Sequence, residues 1–164
     1  MKGRQHMKTM FLTAIAGVVL AIMFSLTVTQ ATQDGDADQL AGMWQVEFTV
    51  RNCQTGAALR TFPALSTFLP GGSLLDTSAG TSPALRSPGH GTWKHTGGRN
   101  FTATLIFFRF NPDGTYAGPQ ILTLNIEVGE GGNDFTATLS AEIRDVSGNV
   151  ISTGCATQTA RRLE

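Results

Sequence analysis

The chain has 164 residues, with 12 basic against 12 acidic side chains and two cysteines. Three of the basic residues lie within the first ten positions, so the chain beyond residue 31 carries nine basic against 12 acidic groups. A slightly acidic domain has no basic surface for nucleic acid or an anionic membrane, and neither partner is expected. The length beyond residue 31 fits one domain with its own core, and a second domain is not expected.

Residues 1–31 have the pattern of a secretory signal peptide. A basic segment precedes an apolar run from Phe11 to Leu26, and 29–31 offers a cleavage site. A single membrane anchor is the alternative, because the run approaches the ~20 residues that cross a bilayer. The hydroxyl side chains within the apolar run favour a cleaved signal peptide over a membrane anchor. We therefore expect a secreted or periplasmic protein without a membrane contact after cleavage, in which a flexible leader at 32–41 precedes the folded domain.

Strands are predicted from residue 44 onward, because apolar and polar residues alternate. In MWQVEFTVR the apolar residues Trp44, Val46, Phe48 and Val50 share one face, which predicts a strand with one dry and one wet side. Further strands are predicted in LRTFPALSTFL, SLLDT, GTWKHT, ILTLNIEV and VISTGCATQT. Glycine and proline segments separate them.

The pentapeptide FTATL occurs twice, beginning at Phe101 and at Phe135. In both copies Phe, Ala and Leu alternate with Thr, which places Thr on the solvent face of a strand. Each copy leads into a turn, NPDGT after the first and DVSGN after the second. We interpret the repeat as the first arm of a hairpin that is built twice, not as a ligand motif.

Cys53 and Cys155 are predicted to form a disulfide bond, because an exported chain with an even cysteine count and no CxxC spacing is typical of a structural bridge. A pair of free buried thiols is the alternative. The two cysteines lie near the end of the first strand and within the last one, which indicates that these strands are neighbours.

The predicted fold is all-β, a single closed eight-stranded antiparallel up-and-down barrel at 42–164. Consecutive hairpins and the absence of an amphipathic helical window favour it, and a β-sandwich is the alternative.

Gly42-Met43-Trp44 at the start of the first strand and two arginines, Arg161 and Arg162, after the last one resemble the calycin or lipocalin-like pattern. In that pattern a G-x-W motif opens the barrel, and an arginine from its end packs over the Trp ring. The resemblance implies that Trp44 plugs the closed end and that Arg161 or Arg162 covers it through a cation–π contact. The second motif and the C-terminal helix of typical lipocalins are missing. Eight-stranded barrels of the allene oxide cyclase and dirigent type are a further resemblance, and they imply an enzyme.

The candidate binding residues come from the long loop SPALRSPGH and from the inward faces of two strand pairs. Leu85 is predicted as an apolar contact, Arg86 as the partner of a ligand carboxylate and His90 as a neighbouring polar group, if the loop forms a lid. A mobile solvated loop is the alternative. The small side chains of Ala103, Ala137 and Ala141 are predicted to point inward and to leave room for a ligand. Leu105 and Leu139 are predicted as larger inward neighbours that contact it.

No nucleophile or phosphate-loop pattern occurs in the sequence. His90 and His95 are five residues apart, which puts them on opposite faces of a strand, so no metal site is expected. No cofactor or catalytic residue is predicted.

The expected function is an exported lipocalin-like barrel that binds a small apolar or amphipathic molecule. One alternative is an enzyme on a related barrel with Arg86, His90 or Arg109 as its polar groups. The other is an interaction module without a ligand, or a homodimer, that uses the aromatic patch Phe107, Phe108 and Phe110.

Overall fold

The computed structural model describes residues 38–163, and the structural statements below refer to them. The predicted signal peptide and 32–37 of the predicted leader lie outside the described residues. The described chain contains eight β-strands: β1 (Gly42–Arg51), β2 (Ala58–Leu69), β3 (Ser73–Ser78), β4 (Gly89–Gly97), β5 (Asn100–Phe110), β6 (Tyr116–Val128), β7 (Asp134–Arg144) and β8 (Val150–Arg162). Within this part of the chain, no helix has the length and apolar character that crossing a bilayer requires.

The sheet closes into a barrel. Each strand pairs antiparallel with the next one along the chain, and β8 pairs with β1 in a register that runs from Trp44↔Arg162 to Arg51↔Cys155. The predicted single eight-stranded antiparallel barrel is therefore confirmed, and the sandwich is excluded. The architecture is consistent with a calycin-like fold.

Both copies of FTATL alternate across the barrel wall as predicted. Phe, Ala and Leu of each copy are buried, whereas Thr104, Thr136 and Thr138 are exposed and Thr102 is half-buried. Each copy begins a long strand, β5 or β7, that returns through a tight hairpin. The repeat thus builds two walls of one barrel, and its threonines face solvent.

Large aromatic side chains fill one end of the barrel, which we call the closed end and define by Trp44, Phe68 and Phe135. The Trp44 ring is fully buried and meets the Phe135 ring edge-on, with 4.9 Å between centroids. Its Nε1 donates a hydrogen bond to the carbonyl oxygen of Leu40 at 3.0 Å. Leu40 is itself fully buried and belongs to a turn at 38–40, so the packed structure begins ahead of β1.

Arg162 covers the closed end. Its guanidinium carbon lies 4.2 Å from the centroid of the Trp44 ring, within the range of a cation–π contact. The same guanidinium donates to the carbonyl oxygens of Gln39 at 2.6 Å, Ala41 at 2.6 Å and Gly132 at 2.9 Å. These bonds tie the segment ahead of β1, the end of β8 and the β6–β7 turn together.

The glycine of the G-x-W motif has a backbone conformation that residues with a side chain rarely adopt. Gly42 has a φ of 134°, and a side chain there would collide with the Arg162 guanidinium. Arg161, in contrast, is exposed and pairs with Gln45 on the outer face. Of the two arginines that the resemblance left open, Arg162 is the one that covers Trp44.

The Cys53–Cys155 disulfide is present, with 5.3 Å between the Cα atoms and 102 residues between the cysteines in the chain. It joins the loop after β1 to β8 at the end of the barrel opposite the closed end. A disulfide of this kind is compatible with an oxidising, extracellular environment.

Replacing Trp44 by Ala should lower the free energy of unfolding by about 3–5 kcal/mol, because the change removes a fully packed aromatic side chain and leaves a cavity. Urea denaturation measures the loss. The matched control is Gln45→Ala, one residue along on the exposed face, which should stay within about 0.5 kcal/mol of wild type. Equal losses in the two variants would contradict the packing described here.

The double variant Cys53→Ser/Cys155→Ser should lose about 2–4 kcal/mol of stability, because the bridge closes a loop of more than a hundred residues in the unfolded chain. Denaturation of the wild type with and without reductant provides an independent measurement of the same quantity. An unchanged midpoint in both experiments would show that the bridge contributes nothing to folding.

Candidate functional site

The end of the barrel opposite the closed end contains a cavity of about 370 Å³, which we call the mouth cavity. It lies between β1, β2, β5 and β6 and is covered on one side by the loop that joins β3 to β4. Seven apolar side chains line it: Phe48, Val50, Phe62, Leu85, Phe107, Phe110 and Leu122.

Strand alternation also turns two arginines into this mouth. Arg60 lies two residues from Phe62 on β2, and Arg109 lies two residues from Phe107 on β5. Because side chains two apart on a strand share a face, both arginines line the cavity together with its aromatic walls, Arg60 at the solvent-exposed rim and Arg109 half-buried.

A buried ion pair crosses the cavity from the β3–β4 loop to β3. Arg86 donates a hydrogen bond to the Asp76 carboxylate, and the two side chains are only 8% and 6% exposed. The Arg86 guanidinium also lies over the Phe107 ring, 4.0 Å from its centroid. Ser66 on β2 donates to the second carboxylate oxygen of Asp76 at 3.3 Å. A buried ion pair therefore sits beside the aromatic part of the cavity wall.

The environment of Asp76 changes its titration. Burial raises the pKa of this carboxyl above its ordinary value of 3.8, although the charge and hydrogen bond of Arg86 and the hydroxyl of Ser66 act in the opposite direction. Because the folded-state pKa is raised, the contribution of Asp76 to stability is fully present below pH 3.8 and falls as the pH rises through the folded-state pKa.

The long loop is held against β5. The Ser87 amide donates to the carbonyl of Phe108 at 3.0 Å, and the Phe110 amide donates to the carbonyl of Leu85 at 3.0 Å. These bonds make residues 85–87 a short extension of the barrel wall beside β5. Sequence reasoning offered a lid or a mobile solvated loop. These main-chain bonds fix residues 85–87 in place, while the role of the loop as a lid stays a prediction.

Arg109 is positioned by carbonyl groups. One of its terminal nitrogens donates to the carbonyl oxygens of Ala117 at 2.9 Å and Arg144 at 2.7 Å. Gly118, with a φ of 101°, lies opposite Arg109 and in contact with the Arg144 carbonyl, where a side chain would clash. The glycine thus lets β6 and β7 approach closely enough to hold the guanidinium.

Two of the predicted binding residues, Leu85 and Arg86, line the mouth cavity. Arg86 was expected to meet the carboxylate of a ligand, but Asp76 of the protein already occupies that role. His90 points away from the mouth: it is exposed on the outer face of β4, opposite Leu75 and Ile106.

The predicted inward residues lie inside the barrel but do not line the mouth cavity. The reason is that each small side chain is paired with a large neighbour: Ala103 with Trp93, Ala137 with Ile126 and Ala141 with Leu122. Alternating small and large residues fill a narrow barrel, so these alanines make room for the protein's own side chains. Leu105 and Leu139 are likewise buried in the core.

Sequence reasoning missed Arg60, Ser66 and Asp76. A signal was present for the last of these, because the alternation in SLLDT puts Asp76 on the same face as the buried Leu74. An acidic residue on the dry face of a strand indicates a buried partner or a ligand.

The predicted aromatic patch is divided by strand alternation together with a register shift between Arg109 and Phe110. Phe107 faces the mouth cavity and Phe110 lines its rim, whereas Phe108 is 49% exposed on the outer face. There it packs edge-on against Tyr116, with 5.6 Å between ring centroids.

The functional assignment depends on this geometry. No known protein family and no curated protein matches the chain. Among residues 38–163, no group of three or more His, Cys, Asp or Glu side chains is arranged to hold a metal ion. What the fold defines is a closed eight-stranded barrel with one filled end and one partly polar, hollow mouth.

Replacing Arg86 by Met should lower stability by about 3–5 kcal/mol at pH 7, because it leaves Asp76 buried and unpaired. Without the opposing effect of Arg86, the pKa of Asp76 rises further. The loss should therefore shrink as the pH is lowered, because a protonated Asp76 carries no unpaired charge. Denaturant titrations at several pH values measure this dependence.

The control is Arg99→Met. Arg99 pairs with Glu127 at 3.6 Å and Glu130 at 3.3 Å, but all three side chains are solvent-exposed to a substantial degree. The Arg99→Met substitution should lower the free energy of unfolding by less than about 1 kcal/mol. A cost for Arg86→Met no larger than this, or one that does not change with pH, would contradict the buried pair.

Proposed function

We propose that the protein is an exported, lipocalin-like barrel that binds one small apolar or amphipathic molecule in its mouth cavity. The observation that carries the proposal is the cavity of about 370 Å³, lined by seven apolar side chains and by converging polar side chains. Pockets for small molecules have this combination of volume and lining.

One groove on the outer face fits a small apolar ligand less well. The groove along Thr102, Asn125 and Thr138 has a volume of about 520 Å³, but it is lined by hydroxyl and amide groups of the outer face. Such groups are already solvated, so an apolar molecule gains little by binding there.

Export is supported by the pattern of residues 1–31 and by the disulfide, which persists in oxidising compartments. Arg162 over Trp44 supports the lipocalin-like assignment, because the G-x-W resemblance implied this contact.

An enzyme is the second candidate, since Arg86 and Arg109 converge on the mouth cavity beside the buried acid Asp76. Binding is preferred, because the Asp76 carboxylate is engaged by Arg86 and Ser66 and because His90, the third polar group of the enzyme hypothesis, lies outside the mouth.

The test uses N-phenyl-naphthylamine, a neutral apolar probe that becomes fluorescent in dry pockets. We expect one site per chain with a dissociation constant in the micromolar range, which corresponds to a binding free energy of about −8 kcal/mol. Val50→Trp should weaken binding at least about tenfold, because the larger side chain occupies the mouth cavity.

Thr49→Trp is the matched control, since this neighbour lies on the outer face, where its hydroxyl meets that of Thr61. It should bind the probe as wild type does. The proposal fails if the wild type does not bind the probe, or if both tryptophan variants retain full binding while remaining folded.

A further inference from the structure

We infer that the molecule held in the mouth cavity carries a negative charge, and that Arg60 and Arg109 bind its anionic group. The inference rests on the proposed function, because it concerns the ligand of the same cavity. The charges of the cavity lining are unbalanced. Among the described residues, three arginines line the cavity, whereas Asp76 is its one carboxylate.

Only one of these arginines has a counter-ion. Within residues 38–163, the ion pairs involve Arg86, Arg99 and Arg144. Arg60 donates to the carbonyl oxygen of Gly80, and Arg109 donates to two carbonyl oxygens. Carbonyl groups position a guanidinium but do not neutralise it. Two positive charges at the mouth cavity, one of them on the solvent-exposed Arg60, therefore have no balancing carboxylate within residues 38–163.

The other carboxylates at this end of the barrel are committed elsewhere. Asp113 accepts hydrogen bonds from Thr115 within its own turn, and Asp145 does so from Asn149. Glu142 pairs with its neighbour Arg144 on β7. Hydrogen bonds also lower the pKa values of Asp113 and Asp145, so both stay ionised where they are.

Both free arginines are held in place before a ligand arrives. Arg60 stacks over the Phe62 ring, 4.9 Å from its centroid, and Arg109 is fixed by its two carbonyl partners. The Nε of Arg109 is buried without an acceptor, which is a cost that native proteins seldom accept without a functional reason. Each guanidinium carries five N–H donors, so further donors remain for a ligand.

These features define the chemical class of the ligand. Its body is apolar and small enough for the space between Phe62, Phe107 and Leu122. Its charged end is a carboxylate, sulfonate or phosphate ester, because a planar guanidinium fork matches two oxygens of such groups. A neutral molecule of the same shape would leave both charges unbalanced.

The experiment compares two probes with the same aromatic skeleton, N-phenyl-naphthylamine and anilinonaphthalene sulfonate, which differ by one sulfonate. Wild type should bind the sulfonate about tenfold more tightly at low salt, and added salt should reduce this preference toward unity. The salt series needs no substitution, so it decides the question even if a variant fails to fold.

Arg60→Gln should remove most of the preference for the sulfonate and change the affinity for the neutral probe less than about twofold. Arg60→Lys keeps the charge and should restore part of the preference. Arg51→Gln is the matched control: this arginine lies at the same end of the barrel without an ion pair among the described residues, but it points outward to Thr157. It should leave both affinities unchanged.

Each outcome separates the two proposals. Equal binding of the two probes by wild type would overturn the charge inference while the proposed function stands. The same loss of preference in Arg51→Gln and Arg60→Gln would also overturn it, because the effect would then belong to the outer surface. If neither probe binds, the proposed function falls and the inference falls with it.

Discussion

The pairing of β8 with β1 is the constraint on which the structure depends. Once those strands are joined, every strand of the described barrel has an inside and an outside, and the side of each residue follows from its position. This is why Asp76 and Arg109 are turned inward: a strand that buries Leu74 or Phe107 must also turn the residue two places away toward the same space, and the same alternation brings the exposed Arg60 to the rim beside the half-buried Phe62. Closure of the barrel thus turns toward the mouth charged residues that would stay in water on an open sheet.

The Arg86–Asp76 pair is difficult to explain as a device for stability. A buried ion pair must recover the desolvation of both charges, and well-packed apolar residues of similar volume often stabilise a fold as well or better. The pair does give the β3–β4 loop a single position, since the Arg86 side chain ends on Asp76 and its neighbours bond to β5. We interpret it as the element that shapes one wall of the mouth.

Much of the fold follows from the sequence, and much of the site does not. Alternation alone locates Trp44 inside and the FTATL threonines outside, because one face of each strand must be dry. The partner of Arg86 depends on how a loop folds back on β3, and no local pattern encodes that. The prediction that the inward alanines contact a ligand depends on the same kind of information. Ala137 leaves space, but whether Ile126 or a ligand fills that space depends on the register between β6 and β7. Only the three-dimensional neighbour distinguishes Arg162 from Arg161.

The order of strands along the chain has a consequence for how the protein folds. Seven of the eight strand pairings join neighbours in sequence, so they can form as local hairpins, whereas β1 and β8 must meet across almost the whole domain. Non-local contacts of this kind slow folding, because the entropy of closing the loop is lost before the contact stabilises the chain. Cys53 and Cys155 flank that one distant pairing. When the bridge is retained during unfolding, it keeps the two strands together, so the oxidised chain should refold faster than the reduced one, which has to search for the closure anew.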